Sequence, residues 1–181
     1  NTFTDFIAAA EFLVGKGWTA PDRLVIQGES AGGLLVGAVA NLRPDLFRAV
    51  VSSVGIYDML RVELHPNGEY NTTEFGTVKI KEQFEALYAY SPYHHAIDGT
   101  PYPAVLFLTG QHDGRVDPAN SRKMAARMQA ATSSTNPILL RVSLTAGHGQ
   151  GTRFSERIER DADVMAFFFD QLGVTYQIKA N

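Results

Sequence analysis

Apolar residues recur along this chain with two alternating periods. Phe3, Phe6, Ile7, Ala10, Leu13 and Val14 fall on one face of a helix, which Gly15, Gly17 and Pro21 bring to an end. Leu24-Val25-Ile26 is a short unbroken apolar run stopping at Gly28, the pattern of a strand buried on both faces. Ala31 to Asn41, rich in Ala, Leu, Val and Gly, predicts a buried helix closed before Pro44. Further strands are predicted at 49–54, 104–108 and 138–144, and helices at 121–131 and 155–172. Between Tyr57 and Tyr102 the pattern breaks down: Gly/Asn-rich around Asn67-Gly68 and Asn71, helical only from Lys79 to Tyr88, turn-rich at Ser91-Pro92.

Strands that alternate with helices predict an α/β fold, a parallel sheet flanked by helices and wound by right-handed crossovers. Only about four strands are visible, so the sheet lacks one flank. A chain that opens with Asn1 inside a helix then reads as a piece of something longer. Composition narrows the chemistry. With 181 residues, 45% hydrophobic and 19% charged, the chain is long enough for one folded domain with a core. Sixteen basic and 19 acidic residues leave a net charge of −3, which argues against nucleic acid as a partner. No apolar run approaches the roughly 20 residues that span a bilayer, so no membrane partner is expected. The absence of cysteine excludes disulfides, thiolate metal sites and a cysteine nucleophile, and leaves the compartment open.

Gly28-Glu29-Ser30-Ala31-Gly32 is a G-x-S-x-G motif lying between a predicted strand and a predicted helix. In that setting the serine occupies a strained turn, its hydroxyl projects into a cleft, and the flanking glycines permit close packing. The plainer reading is a Gly-rich turn with a helix-capping serine. A serine hydroxyl needs a base to become a nucleophile. Of His65, His94, His95, His112 and His148, only His148 follows a strand that itself comes after an acid-bearing strand end. The acid should follow strand 104–108. Asp113 is nearer the strand end, whereas Asp117 precedes Pro118 and reads as the start of a helix. His94 and His95 are adjacent and expected on opposite sides of an extended chain, so no metal site is expected, and no cofactor.

These residues, together with Tyr90-Ser91-Pro92-Tyr93, Gly110-Gln111-His112-Asp113-Gly114-Arg115-Val116-Asp117-Pro118 and Gly147-His148-Gly149, resemble the prolyl oligopeptidase family of serine peptidases. The resemblance implies that residues 1–181 are the C-terminal part of an α/β-hydrolase catalytic domain. The first strands of the sheet and a β-propeller would lie in an N-terminal remainder of the same enzyme. It implies a Ser30, Asp113 and His148 triad acting on short peptide substrates through an acyl-enzyme. Further roles follow from it: the Ala31 backbone N–H as one oxyanion donor, Arg115 as the holder of a substrate carbonyl, and Phe75 and Val116 as pocket lining. The pattern departs at Asn71, which precedes Thr72-Thr73-Glu74-Phe75-Gly76 where proline-specific members carry a tryptophan. The rival readings are a carboxylesterase, which has no peptide backbone for Arg115 to anchor, and a non-catalytic binding module of hydrolase fold.

Overall fold

The computed structural model describes residues 1–175. Four strands, β1 (Val25–Glu29), β2 (Ala49–Ser53), β3 (Ala104–Gly110) and β4 (Ile138–Ser143), pair in that order, all parallel. Strict alternation along the two central strands sorts the core into two layers. Val50, Val105 and Phe107 point to one face, where they meet Val36, Val39, Met124 and Met128. These come from the helices α2 (Ala31–Leu42) and α5 (Ala119–Ala131), and α1 (Thr2–Gly15) packs outside them through Phe6, Ile7 and Ala10. Val51, Leu106 and Leu108 point the other way, onto Val164, Phe167 and Phe168 of the last helix, Phe154–Leu172. The result is an α/β-hydrolase sheet with helices on both faces.

The central strands are buried along their whole length, whereas β1 exposes Gln27 and Glu29. Among the described residues β1 pairs with β2 alone, so its other edge presents unpaired N–H and C=O groups.

The region read as irregular contains two helices, α3 (Gly68–Phe75) and α4 (Lys81–Tyr90), which makes the final helix α6. The helix expected at 79–88 is there, shifted by two residues. The helix at 68–75 was not expected, because Gly-Glu-Tyr-Asn-Thr-Thr-Glu-Phe has no apolar stripe. Tertiary contact supplies what the pattern lacks. A Cβ on Gly68 would come within 2.4 Å of the Val62 carbonyl oxygen, so the helix start is seated tightly on the preceding turn. Phe75 packs on a small core of Leu34, Ile56, Met59, Val62, Leu87 and Val116. That core joins the excursion to the first turn of α2 and to the loop after β3, and so steadies both.

Candidate active site

One residue, Ser30, separates the end of β1 from the start of α2. Its backbone has φ 59° and ψ −118°, a conformation that costs an L-residue about 1–3 kcal/mol. Close packing holds it. A Cβ on Gly28 would lie 2.1 Å from the Gly32 carbonyl oxygen, and one on Gly33 would lie 2.7 Å from the Gly55 Cα. A Cβ on Gly32 would meet nothing. The expectation that both motif glycines serve close packing is therefore corrected: Gly28 does, and Gly33, outside the motif, is its counterpart. The Ser30 N–H donates to the Ser53 carbonyl over 2.9 Å, which pins the turn to the end of β2. The Ala31 N–H lies in the first turn of α2, where helix geometry offers it no acceptor.

The loops after β3 and β4 interlock above the sheet. Gly110 ends β3, and a Cβ there would lie 2.4 Å from the carbonyl oxygens of Ala146 and Gly147. The His112 N–H donates to Ala146 over 3.0 Å, while the His112 residue itself is exposed. This lock brings Asp113 and His148 together. The Asp113 side chain has no solvent exposure. Its Oδ1 accepts the N–H groups of Arg115 and Val116, each over 2.9 Å, and its Oδ2 lies 2.8 Å from His148 Nδ1. His148 Nε2 lies 3.0 Å from Ser30 Oγ. An ionised carboxylate only accepts, so the proton of a neutral His148 belongs on Nδ1 and leaves Nε2 to accept from the serine hydroxyl. Asp117, the other candidate acid, faces elsewhere. It accepts the Ala119 N–H over 2.8 Å at the start of α5 and meets His65 Nδ1 over 3.1 Å.

A second Ser–His–Asp constellation lies in the excursion. Ser91 Oγ is 2.8 Å from His94 Nδ1, and His94 Nε2 is 3.9 Å from Asp58 Oδ1. Here the serine is fully buried, its Oγ accepting the Met59 N–H over 3.1 Å and reaching the Tyr57 carbonyl over 3.2 Å. Asp58 is paired with Lys123 and with Arg61, the latter over 3.1 Å. Burial pushes the Asp58 carboxyl up, but the Lys123 and Arg61 cations outweigh it and hold it below the usual carboxylate range. Burial also pushes His94 below the ordinary imidazole value, against the pull of Asp58. His94 and His95 do not splay from an extended chain as expected. They share a 3-10 turn, Pro92–His95, and their rings flank Tyr88 at 5.8 and 5.2 Å. Among the described residues no group of three His, Asp or Glu side chains could hold a metal ion.

Ser30 and His148 open on a cleft of about 570 Å³, lined also by Arg115, Glu29, Thr152, Arg157 and Arg160. Val116 is buried, and Phe75 packs on the same apolar cluster. Asn71 joins Arg115 and Val116 around a smaller cavity beside Asp117. Sequence reasoning passed over Glu29, Arg157 and Arg160. The two arginines sit three residues apart on one face of the helix that follows His148, a spacing that was legible. It also missed Val54, a β-branched residue held at φ 43° by the N–H it donates to Leu108 over 2.8 Å.

The model of the prolyl oligopeptidase family matches residues 1–175. This chain belongs to the prolyl oligopeptidase family. A prolyl endopeptidase of Elizabethkingia miricola is 41% identical to it over 175 residues, which cover 96% of this chain and 25% of that protein. The dipeptidyl aminopeptidase BI of Pseudoxanthomonas mexicana is 36% identical, over 96% of this chain and 24% of its own length. Among solved structures, oligopeptidase B from Trypanosoma brucei with covalently bound antipain superposes with a TM-score of 0.93 at 33% identity, over 99% of this chain and 26% of that one. The chain thus spans about a quarter of the length of these family members. Among the described residues no helix is long and apolar enough to cross a membrane.

Proposed function

We propose that this chain is the C-terminal part of the catalytic domain of a serine peptidase that cleaves short peptides through an acyl-enzyme. The observation that carries the reading is the continuous relay from Ser30 Oγ to His148 Nε2 (3.0 Å) and from His148 Nδ1 to Asp113 Oδ2 (2.8 Å), opening on a cleft. Ser30 Oγ attacks the peptide carbonyl carbon while His148 Nε2 takes the hydroxyl proton. Asp113, fixed by two backbone donors, orients the ring and stabilises the imidazolium. The negative charge that develops on the carbonyl oxygen is met by the Ala31 N–H. As the tetrahedral centre collapses, the C–N bond breaks and His148 returns the proton to the leaving amine. Water then attacks the ester on Ser30 by the same steps in reverse roles.

Arg115 stands in the same cleft with a guanidinium suited to a substrate carbonyl. Asn71 and Val116 line the small cavity beside Arg115, and Phe75 packs on the apolar cluster next to it; the lack of a tryptophan there argues against a strict demand for proline. An N-terminal remainder of the protein would supply the strands beside β1, a second oxyanion donor and the propeller. Without that donor residues 1–181 would turn over roughly 100- to 1000-fold more slowly than the whole enzyme. The test is to incubate the whole protein with a mixture of short peptides and simple esters and to follow both by mass spectrometry. Peptide fragments that appear with the wild type and vanish with Ser30→Ala support the reading. Ester hydrolysis without any peptide cleavage would make it a carboxylesterase instead.

A further inference from the structure

The amine leaving group must take its proton from His148 Nε2, so it departs on the His148 side of Ser30. That side of the cleft is built by the segment after the histidine and the first turns of α6, and Arg157 and Arg160 both line it. Against them the lining offers one carboxylate, Glu29, and Arg115 adds a third guanidinium. The cleft is therefore cationic in a chain whose net charge is −3. Among the described residues Arg160 is tied only to its neighbour Asp161, over 2.9 Å, and Arg157 is in no ion pair at all. The exposed Arg157 guanidinium, with no carboxylate of its own, is a ready partner for one on a ligand, and the half-buried Arg160 is held only by the exposed carboxylate of its chain neighbour.

We infer that Arg157 and Arg160 are specificity-determining residues that select peptides with a carboxylate on the leaving side of the cleaved bond. The carboxylate is either an acidic side chain within the first residues after that bond or the free C-terminus of a short product. The inference rests on the peptidase reading above. It concerns only the departing half of the substrate, so it is independent of what the acyl-side pocket prefers. The pairing is at the surface, so its expected size is that of a surface ion pair: about 1.5- to 5-fold in kcat/KM, diminishing in high salt.

The experiment uses the whole protein and four peptides with a common acyl half. Their leaving halves are Gly-Asp-Gly-amide, Gly-Asn-Gly-amide, Gly-Lys-Gly-amide and Gly-Asn-Gly with a free carboxyl end. The ratio of kcat/KM to that of the Asn amide is read for each. The Asp peptide or the free acid should exceed a ratio of one, the Lys peptide should fall below it, and 0.5 M salt (about that concentration) should shrink both effects. Whichever arm gains identifies the source of the carboxylate. In R157A/R160A all the ratios should move toward one, the Asp or free-acid ratio falling and the Lys ratio rising, whereas Lys81→Ala, an exposed cation on α4, should leave them in place. If the double variant fails to fold, the salt dependence of the wild-type ratios decides. Equal cleavage of all four peptides by the wild type overturns the inference and leaves the peptidase reading intact. No cleavage of any of them, or cleavage that survives in Ser30→Ala, overturns the peptidase reading and the inference with it.

Discussion

The two Ser–His–Asp constellations of this chain use the same side chains at similar first distances: 3.0 Å from Ser30 to His148 and 2.8 Å from Ser91 to His94. They differ in everything around the serine. Ser30 has a strained backbone, partial exposure, a cleft in front of it and the free amide of Ala31 beside it. Ser91 has relaxed backbone angles (φ −65°, ψ 109°), no exposure, and a hydroxyl already engaged by Met59 and Tyr57. The acids differ as well. Asp113 is stabilised by two backbone N–H groups and carries no cation, so the imidazolium that forms next to it is its natural counter-ion. Asp58 already has Lys123 and Arg61, and lies 3.9 Å from His94. A nucleophile is thus defined less by its triad partners than by strain, access and a waiting donor for the oxyanion. The buried set instead clamps α4, α5 and the residues after β2.

Substitutions should separate the two sites sharply. Removing the hydroxyl with Ser30→Ala should lower peptide turnover by roughly 10⁶-fold, the scale on which such relays fail when the nucleophile is lost. Ser91→Ala should keep the activity of the folded protein and cost about 1–3 kcal/mol in denaturant melts, because the buried Met59 N–H loses its acceptor. Asp113→Asn should cost roughly 10⁴-fold in kcat with little change in stability, since the amide favours the wrong histidine tautomer. Asp117→Asn should leave kcat nearly unchanged and weaken only the start of α5, by about 1 kcal/mol or less.

The elbow can be probed through its packing. Gly28→Ala places a methyl 2.1 Å from a helix carbonyl and should destabilise by roughly 3 kcal/mol, whereas Gly32→Ala meets nothing and should fall within about 1 kcal/mol of neutral, on the stabilising side. Such a split would place the close packing of the elbow at Gly28 and not at Gly32. The buried acid is read through pH. Because Asp58 is held below the usual carboxylate range, its contribution is complete above the ordinary value of about 4 and is lost as pH falls through the lower folded-state value. Asp58→Asn should therefore lower the melting temperature by a constant amount from pH 7 to about 5, and the gap from wild type should close on further acidification.

Much of this was legible in the sequence because it is carried by short-range pattern. The alternation of Val50 with Val51 and of Phe107 with Leu108 fixes the faces of the central strands, and chain order alone singles out His148. What was not legible depends on the partner rather than the pattern. The helix at 68–75 has no stripe of its own and is held by Gly68 against Val62 and by Phe75 on a distant core. The importance of Gly33 is invisible until Gly55 is seen to touch it. The likeness of Ser91, His94 and Asp58 to a working relay arises from residues 36 positions apart at most, and only burial reveals that it is closed to substrate.

The central claim is that Ser30, and not Ser91, is the nucleophile. Its most direct test is to react the whole protein with a fluorophosphonate, digest with trypsin and map the adduct. A single adduct on the peptide 24–48, absent from Ser30→Ala and unchanged in Ser91→Ala, is the predicted result. An adduct on another peptide, or labelling that persists in Ser30→Ala, would contradict it.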